Sequence, residues 1–225
     1  MAVVDPTPGL PPWTRVLVVV AHPDDESFAL GALLDRFVGS GAEVSVVCLT
    51  RGEASTLGAD AVDLVAVREA ELRAASTVLG LTGSTLLDHP DGGLSDPALS
   101  GPLAAGVSAE VARTEPDGLL VFDPFGGVTG HSDHTAASNA ALAAAARAGL
   151  PVLGWALPSS VAERLNAEYS AGFAGHPREE LVRVRVSRAR QLAAVGEHVS
   201  QAVPGSVLWR RLELLGDSEY VRRIA

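Results

Sequence analysis

A chain of 225 residues with 47% hydrophobic and 20% charged residues carries enough apolar mass for one sizeable core and is too apolar to be disordered. Its net charge is −10 and it has no basic run, which argues against nucleic acid and anionic membrane surfaces as partners. No apolar stretch reaches the length of a membrane span, and the single cysteine, Cys48, excludes an internal disulfide and a cysteine-based zinc site.

Residues 1–14 form a Pro-rich lead-in without the basic-then-apolar pattern of a secretory leader, so a cytoplasmic location is expected. The apolar run Val16-Leu17-Val18-Val19-Val20-Ala21 reads as a buried strand of a parallel sheet, over about 15–21. A helix is expected from Ser27 to Val38, stopped by Gly39 and Gly41. A second strand follows at 43–49, with Cys48 as a buried strand residue. After a loop from Thr50 to Gly58, Val62, Val65, Ala66, Leu72 and Ala75 give one apolar face to a helix over 61–79. Thr85-Leu86-Leu87 is a short strand, His89 to Gly93 a turn-rich loop, 97–113 a helix and 118–122 a strand. Thr135 to Ala148 is Ala-rich and helical, closed by Gly149, and 151–157 is a further strand. Residues 158–180 show no clean period, and Val182 to Val186 alternates as a half-exposed strand. Ser187 caps a helix of about a dozen residues.

Strand–helix alternation throughout predicts an α/β, Rossmann-like three-layer fold with a mainly parallel sheet and helices on both faces. No repeat and no linker divides the chain, so 1–225 is read as a single domain. The glycine-rich dinucleotide and phosphate loops, the G-x-S-x-G elbow and H-E-x-x-H are all absent.

Two polar clusters stand directly after strands. His22-Pro23-Asp24-Asp25-Glu26 follows the first, at the sheet edge where ligands bind in open α/β folds. An imidazole and two adjacent carboxylates there are costly to desolvate unless a cation or substrate compensates. Asp123-Pro124-Phe125-Gly126-Gly127-Val128-Thr129-Gly130 follows the strand at 118–122 and leads into His131-Ser132-Asp133-His134. Two histidines and an aspartate within four residues make a metal or acid/base group.

Together the clusters resemble the LmbE-like, or PIG-L, family of zinc-dependent N-deacetylases, which carries A-H-P-D-D-E near its N-terminus and G-H-x-D-H about midway. Here these read Ala21-His22-Pro23-Asp24-Asp25-Glu26 and Gly130-His131-Ser132-Asp133-His134. Thr50-Arg51-Gly52-Glu53, Arg68-Glu69-Ala70-Glu71-Leu72, Pro90-Asp91-Gly92 and His198-Val199-Ser200-Gln201 are similar too. The resemblance implies His22, Asp25 and His134 as metal ligands and Asp24 as general base. It further implies His131 as acid or oxyanion partner, Asp133 as the group that orients its ring, and Arg68 and Asp91 as substrate-binding residues. Such an enzyme removes an N-acyl group, acetyl above all, from a small-molecule amino sugar or amino-sugar conjugate through metal-activated water. Two imidazoles among the ligands favour Zn²⁺ or Fe²⁺ over Mg²⁺. Homo-oligomerisation stays open.

Plainer readings stand beside these. Asp24, Asp25 or Asp133 could each be a helix N-cap, Arg68 could sit on a solvated helix face and Asp91 in a plain turn. Glu26 reads as a charge in the first turn of a helix, and His198 as a helix-surface histidine. The reverse assignment, with His131 as ligand in place of His134, is equally writable. Some family members acting on glucosamine-inositol substrates carry a mobile Tyr just before the second box. Val128-Thr129 stands there instead, which puts that oxyanion donor and that substrate in question. The rival functions are a phosphoesterase using the same cluster with Mg²⁺ or Mn²⁺, and a non-catalytic metal- or sugar-binding relative. Intact Asp24 and His131 speak against the latter, since binding alone needs neither.

Overall fold

The computed structural model describes residues 9–58 and 61–225; the first eight residues of the Pro-rich lead-in lie outside the described residues. Strand β1 (Arg15–Val20) is followed by the short α1 (Asp25–Phe28), α2 (Gly31–Gly39) and β2 (Glu43–Thr50). Then come α3 (Leu64–Leu79), β3 (Gly83–His89), α4 (Ser100–Thr114), β4 (Gly118–Phe122) and α5 (Ser132–Ala148). The last part holds β5 (Val152–Trp155), α6 (Ser159–Tyr169), β6 (Val182–Arg185), α7 (Ala189–Glu197), α8 (Val207–Leu215) and β7 (Ser218–Arg223).

The strands form one seven-stranded sheet in the order β3-β2-β1-β4-β5-β7-β6. The pairings β1–β2, β1–β4, β2–β3 and β4–β5 are parallel, and β5–β7 and β6–β7 are antiparallel. The mainly parallel sheet is therefore as expected. Every β1 residue from Val16 to Val20 is buried because the strand is covered on both faces. Val16, Val18 and Val20 pack with Leu33, Phe37 and Leu72 on one side. Leu17 and Val19 pack with Leu103, Val107 and Ala141 on the other. At roughly 1.5–3 kcal/mol for each fully buried Val or Leu, this double burial fixes the register of the central strands. Ala137, Ala141 and Ala144 line one face of α5, and their small side chains let that helix lie close on β4.

Three differences from the expected elements have physical causes. The helix foreseen over Ser27 to Val38 is two helices, because Asp25 O accepts from both Ala29 N and Leu30 N, and the added i+5 contact interrupts the ladder. The unassigned stretch 158–180 contains α6, with Leu165 and Ala162 buried and the loop behind it tied by Asn166, whose amide bonds Phe173 N and O. Beyond α7, which is shorter than expected, α8 and β7 are both additions; β7 inserts between β5 and the half-exposed edge strand β6.

Candidate metal centre and its cavity

The strand order reverses between β1 and β4. One half of the sheet runs outward as β1, β2, β3 and the other as β4, β5. The loops leaving these two adjacent strands therefore part to opposite sides and open a crevice at their carboxyl ends. His22 lies two residues past β1, and residues 123–131 join β4 to α5. Both polar clusters thus meet in one crevice although they are over a hundred residues apart.

Their donor atoms converge. His22 Nδ1 is 3.2 Å from His134 Nε2, which is 3.2 Å from Asp25 Oδ1; His22 Nδ1 is 3.6 Å from Asp25 Oδ2. Ligand atoms each about 2.0–2.2 Å from a tetrahedral ion stand roughly 3.3–3.5 Å apart, so this trio fits zinc in both spacing and donor type. The far side of each ring is also held. His134 Nδ1 is 2.6 Å from Thr129 Oγ1, and His22 Nε2 is 3.1 Å from Asp91 Oδ1 and 3.5 Å from Asp133 Oδ2. A partner on the second ring nitrogen fixes tautomer and orientation in metal-binding histidines. A rival trio, His22, His131 and Asp133, also brings one ligand atom from each residue within 4.8 Å of the others. It is the poorer donor set, because the Asp133 oxygens already accept from Gly92 N at 2.8 Å and Leu94 N at 3.1 Å.

The electrostatics favour a cation here. Burial opposes charge on His22, yet the carboxylates of Asp133, Asp25 and Asp91 outweigh it and push its pKa up to about 12. Burial would likewise raise Asp25, but His134 and His22 hold it well below the usual carboxylate range. Asp24 behaves differently: burial raises it to about 6, against the pull of Arg68.

The structure places every sequence-predicted site residue at this crevice, some in roles other than expected. Arg68 is no solvated helix face. Its buried guanidinium donates to Asp24 Oδ2 and Pro23 O at 2.9 Å each and to Gly52 O at 2.7 Å. Only glycine fits opposite it, since a Cβ on Gly52, where φ is +70°, would lie 2.0 Å from Arg68 Nη1. Arg68, expected at the substrate, lines the cavity and also pairs with Asp24. Asp91, expected at the substrate, also lines the cavity, and within the protein its Oδ2 accepts from Ala54 N at 2.9 Å while Oδ1 lies against His22.

The expected Asp133–His131 pair is corrected too. The Asp133 carboxylate anchors the 92–94 turn, and it is the Asp133 backbone N–H that donates to His131 Nδ1, at 3.2 Å. An accepting Nδ1 leaves the proton of a neutral ring on Nε2. Burial and the charges of His22 and His134 also hold the His131 pKa below its ordinary value, so the neutral form is favoured. Glu26 stands in the first turn of α1 as expected, and His198, expected on a helix surface, follows α7; both are wholly buried. His198 Nε2 meets Glu26 Oε1 at 2.8 Å because the chain after α7 turns inward beneath α1. Sequence reasoning had no signal for Thr129 as a support of His134.

The crevice opens into a cavity of about 690 Å³ lined by His22, Asp24, Asp25, His131 and His134 at its centre. Its lining further includes the polar Ser55, Asp91 and Gln201 with Ala54, and the largely apolar Phe28, Phe173, Val207 and Leu208 with Arg211. Among the described residues, no helix is long and apolar enough to cross a membrane.

The family model described as PIG-L, GlcNAc-PI de-N-acetylase, matches residues 17–145. A Rhodococcus erythropolis protein named 1D-myo-inositol 2-acetamido-2-deoxy-alpha-D-glucopyranoside deacetylase is 33% identical over 186 residues. That alignment takes in 68% of this chain and 63% of the relative, so the chain spans less than two thirds of it. In fold, the crystal structure of the A40926 pseudoaglycone deacetylase superposes with a TM-score of 0.71 at 24% identity, covering 94% of this chain and 98% of that one. The N,N'-diacetylchitobiose deacetylase of Pyrococcus horikoshii gives a TM-score of 0.65 at 21% identity, with 94% and 84% covered.

Proposed function

The chain belongs to the PIG-L family, and on that premise we propose that it is a metal-dependent hydrolase removing an N-acyl group, acetyl in the first place, from an amino sugar or amino-sugar conjugate. The observation that carries this reading is the convergence of His22 Nδ1, Asp25 and His134 Nε2 within 3.2–3.6 Å at the sheet's switch point, beside a carboxylate outside the trio. His22, Asp25 and His134 would hold the ion, and two imidazoles with one carboxylate suit Zn²⁺. Bound there, zinc would supply Lewis acidity at the amide carbonyl and lower the pKa of water towards about 7.

The chain's own residues supply the rest. Asp24, fixed by Arg68 and raised towards neutrality by burial, is the general base that takes a proton from water. The attack is direct, so no side chain becomes acylated. His131, neutral with its proton on Nε2, donates to the oxyanion as the carbonyl carbon becomes tetrahedral. Protonation of the leaving amine follows from the acid form of Asp24 or through His131. Asp91 and Asp133 hold His22, and Thr129 holds His134, so no ligand must reorganise during turnover. The polar side of the cavity, at Ala54, Ser55 and Gln201, takes the sugar hydroxyls.

The test is incubation of zinc-loaded protein with a panel of N-acyl amino sugars, reading primary amine release. Amine from at least one N-acetylated sugar, abolished by chelator and restored by zinc, is the expected result. No release from any member, with phosphate ester hydrolysis in its place, would overturn the reading.

A further inference from the structure

Arg211 projects from α8 into the wall of the same cavity, yet it takes no part in the chemistry described above. Only 5% of the residue is exposed. Its Nη2 donates to Phe28 O, at the end of the helical turn that begins with Asp25, and its Cζ lies 5.1 Å from the centre of the Trp155 ring. Trp155 meets Phe122 edge-to-face and Phe122 meets His134 in the same way, so one file of rings links Arg211 to the metal trio.

What the guanidinium lacks is an anion. Among the described residues it forms no ion pair, and its buried Nε has no hydrogen-bond partner. The nearby carboxylate of Glu219 is already engaged by Trp155 Nε1 at 2.8 Å and by Arg188. Burial draws the Arg211 pKa down to about 10, which still leaves it charged at neutral pH. Glu219 and Asp25 attract this cation from a distance, but a buried cation without a direct ion pair is costly, and packing over Trp155 alone could be done by a methionine or leucine at no such cost. By contrast Arg68, the other buried arginine facing the cavity, pairs with the Asp24 carboxylate and donates to two carbonyls, although its Nε too has no partner. Among the described residues Arg211 donates one side-chain hydrogen bond, to Phe28 O, so four of its five N–H donors have no acceptor there, in the planar fork that matches an oxyanion.

We propose that Arg211 anchors an oxyanion subsite: the substrate bears a carboxylate or phosphate that pairs with this guanidinium while its amide lies at the metal trio. The apolar side chains of Phe28, Phe173 and Leu208 flank the connecting part of the substrate and exclude water from the pair. This refines the hydrolase reading and rests on it for the word substrate; the anion site itself stands on the geometry of Arg211.

The experiment compares three compounds on zinc-loaded wild type and on Arg211→Met: N-acetylglucosamine, its 6-phosphate, and N-acetylmuramic acid. Wild type is expected to show a KM at least tenfold lower for one charged compound than for the neutral sugar. The identity of that compound separates phosphate from carboxylate. In Arg211→Met the ratio falls to near one, and Arg211→Lys, which keeps the charge and loses the fork, lies between. Equal KM values for all three compounds on wild type overturn the proposal even if the variants fail to fold, and so does a ratio that Arg211→Met leaves intact. Calorimetric titration with inorganic phosphate decides the matter without turnover. Binding at least tenfold tighter to wild type than to Arg211→Met supports the subsite, and equal affinity refutes it. If no compound releases amine but phosphate still distinguishes the two proteins, the hydrolase reading fails and the anion site stands.

Discussion

Replacing Thr129 with valine should loosen the metal without touching a ligand. The two side chains are nearly isosteric, so the tight loop around Gly127 and Val128 keeps its packing and only the hydroxyl is lost. That hydroxyl is 2.6 Å from His134 Nδ1, and His134 is itself buried, with 8% of its surface exposed. In Thr129→Val the Nδ1 proton has no partner. An unsatisfied buried donor costs about 1–3 kcal/mol, and loss of such a support lowers metal affinity by roughly 10–100-fold. The two figures agree, since a tenfold change is about 1.4 kcal/mol. The assay is zinc competition against a chromophoric chelator, with Thr129→Ser beside it. Serine keeps the oxygen and should retain most of the affinity. A Thr129→Val affinity within about twofold of wild type would show that the hydrogen bond does not orient the ring.

Other perturbations follow from the same site. His134→Ala should lose the bound ion, while His131→Ala keeps it and loses about 100–1000-fold in kcat, as removal of an oxyanion donor does; metal content after dialysis separates the two, and the opposite pattern would make His131 the ligand. Asp24→Asn should retain metal and lose about 100–10,000-fold in turnover, the range of a general base, and near-wild-type activity would refute its role. His198→Leu leaves Glu26 buried without its partner, a loss of about 3–5 kcal/mol that lowers Tm by roughly 2–4 °C per kcal/mol in a chain of this size. Burial disfavours the His198 imidazolium, but Glu26 outweighs it and raises its pKa in the fold. The pair's contribution is therefore complete below about pH 6.5, the ordinary histidine value, and fades as pH climbs past the raised one. Melting curves across that range, flat for His198→Leu relative to wild type, check the sign.

Strands β1, β2, β4 and β5 were legible because each holds an apolar run buried on both faces, which removes any ambiguity of pattern, while the half-buried β3 showed only its Thr85-Leu86-Leu87 centre. The carboxyl-terminal part was not. β7 reads Ser218-Glu219-Tyr220-Val221-Arg222-Arg223, with a charge at the buried Glu219 and another at the half-buried Arg222, each neutralised by partners far along the chain. Glu219 is 0% exposed yet serves Trp155 and Arg188, and Arg222 pairs with Asp123 at 2.9 Å. Strand propensity and hydropathy see such residues as surface, and the insertion of β7 between β5 and β6 has no local signature.

The same division runs through the site. His22, Asp24, Asp25, His131 and His134 declare themselves because two short boxes hold them at spacings that bland roles do not need. Their supports do not. Arg68 is 44 residues from Asp24, and His198 is 172 from Glu26. In each case the partner is set by how helices α3 and α7 pack against the first loop, so a surface role and a buried one are indistinguishable in the sequence alone. Asp91 shows the consequence most sharply. A turn of Pro, Asp and two glycines reads equally as a sugar contact or a plain reversal, whereas folding puts Asp91 Oδ1 3.1 Å from His22 Nε2 and its other oxygen on Ala54 N. A carboxylate in that position pulls on the imidazole and makes Nδ1 a better donor. The residues proposed to react lie in local motifs; those that surround and hold them exist as a set only once the chain has closed on itself.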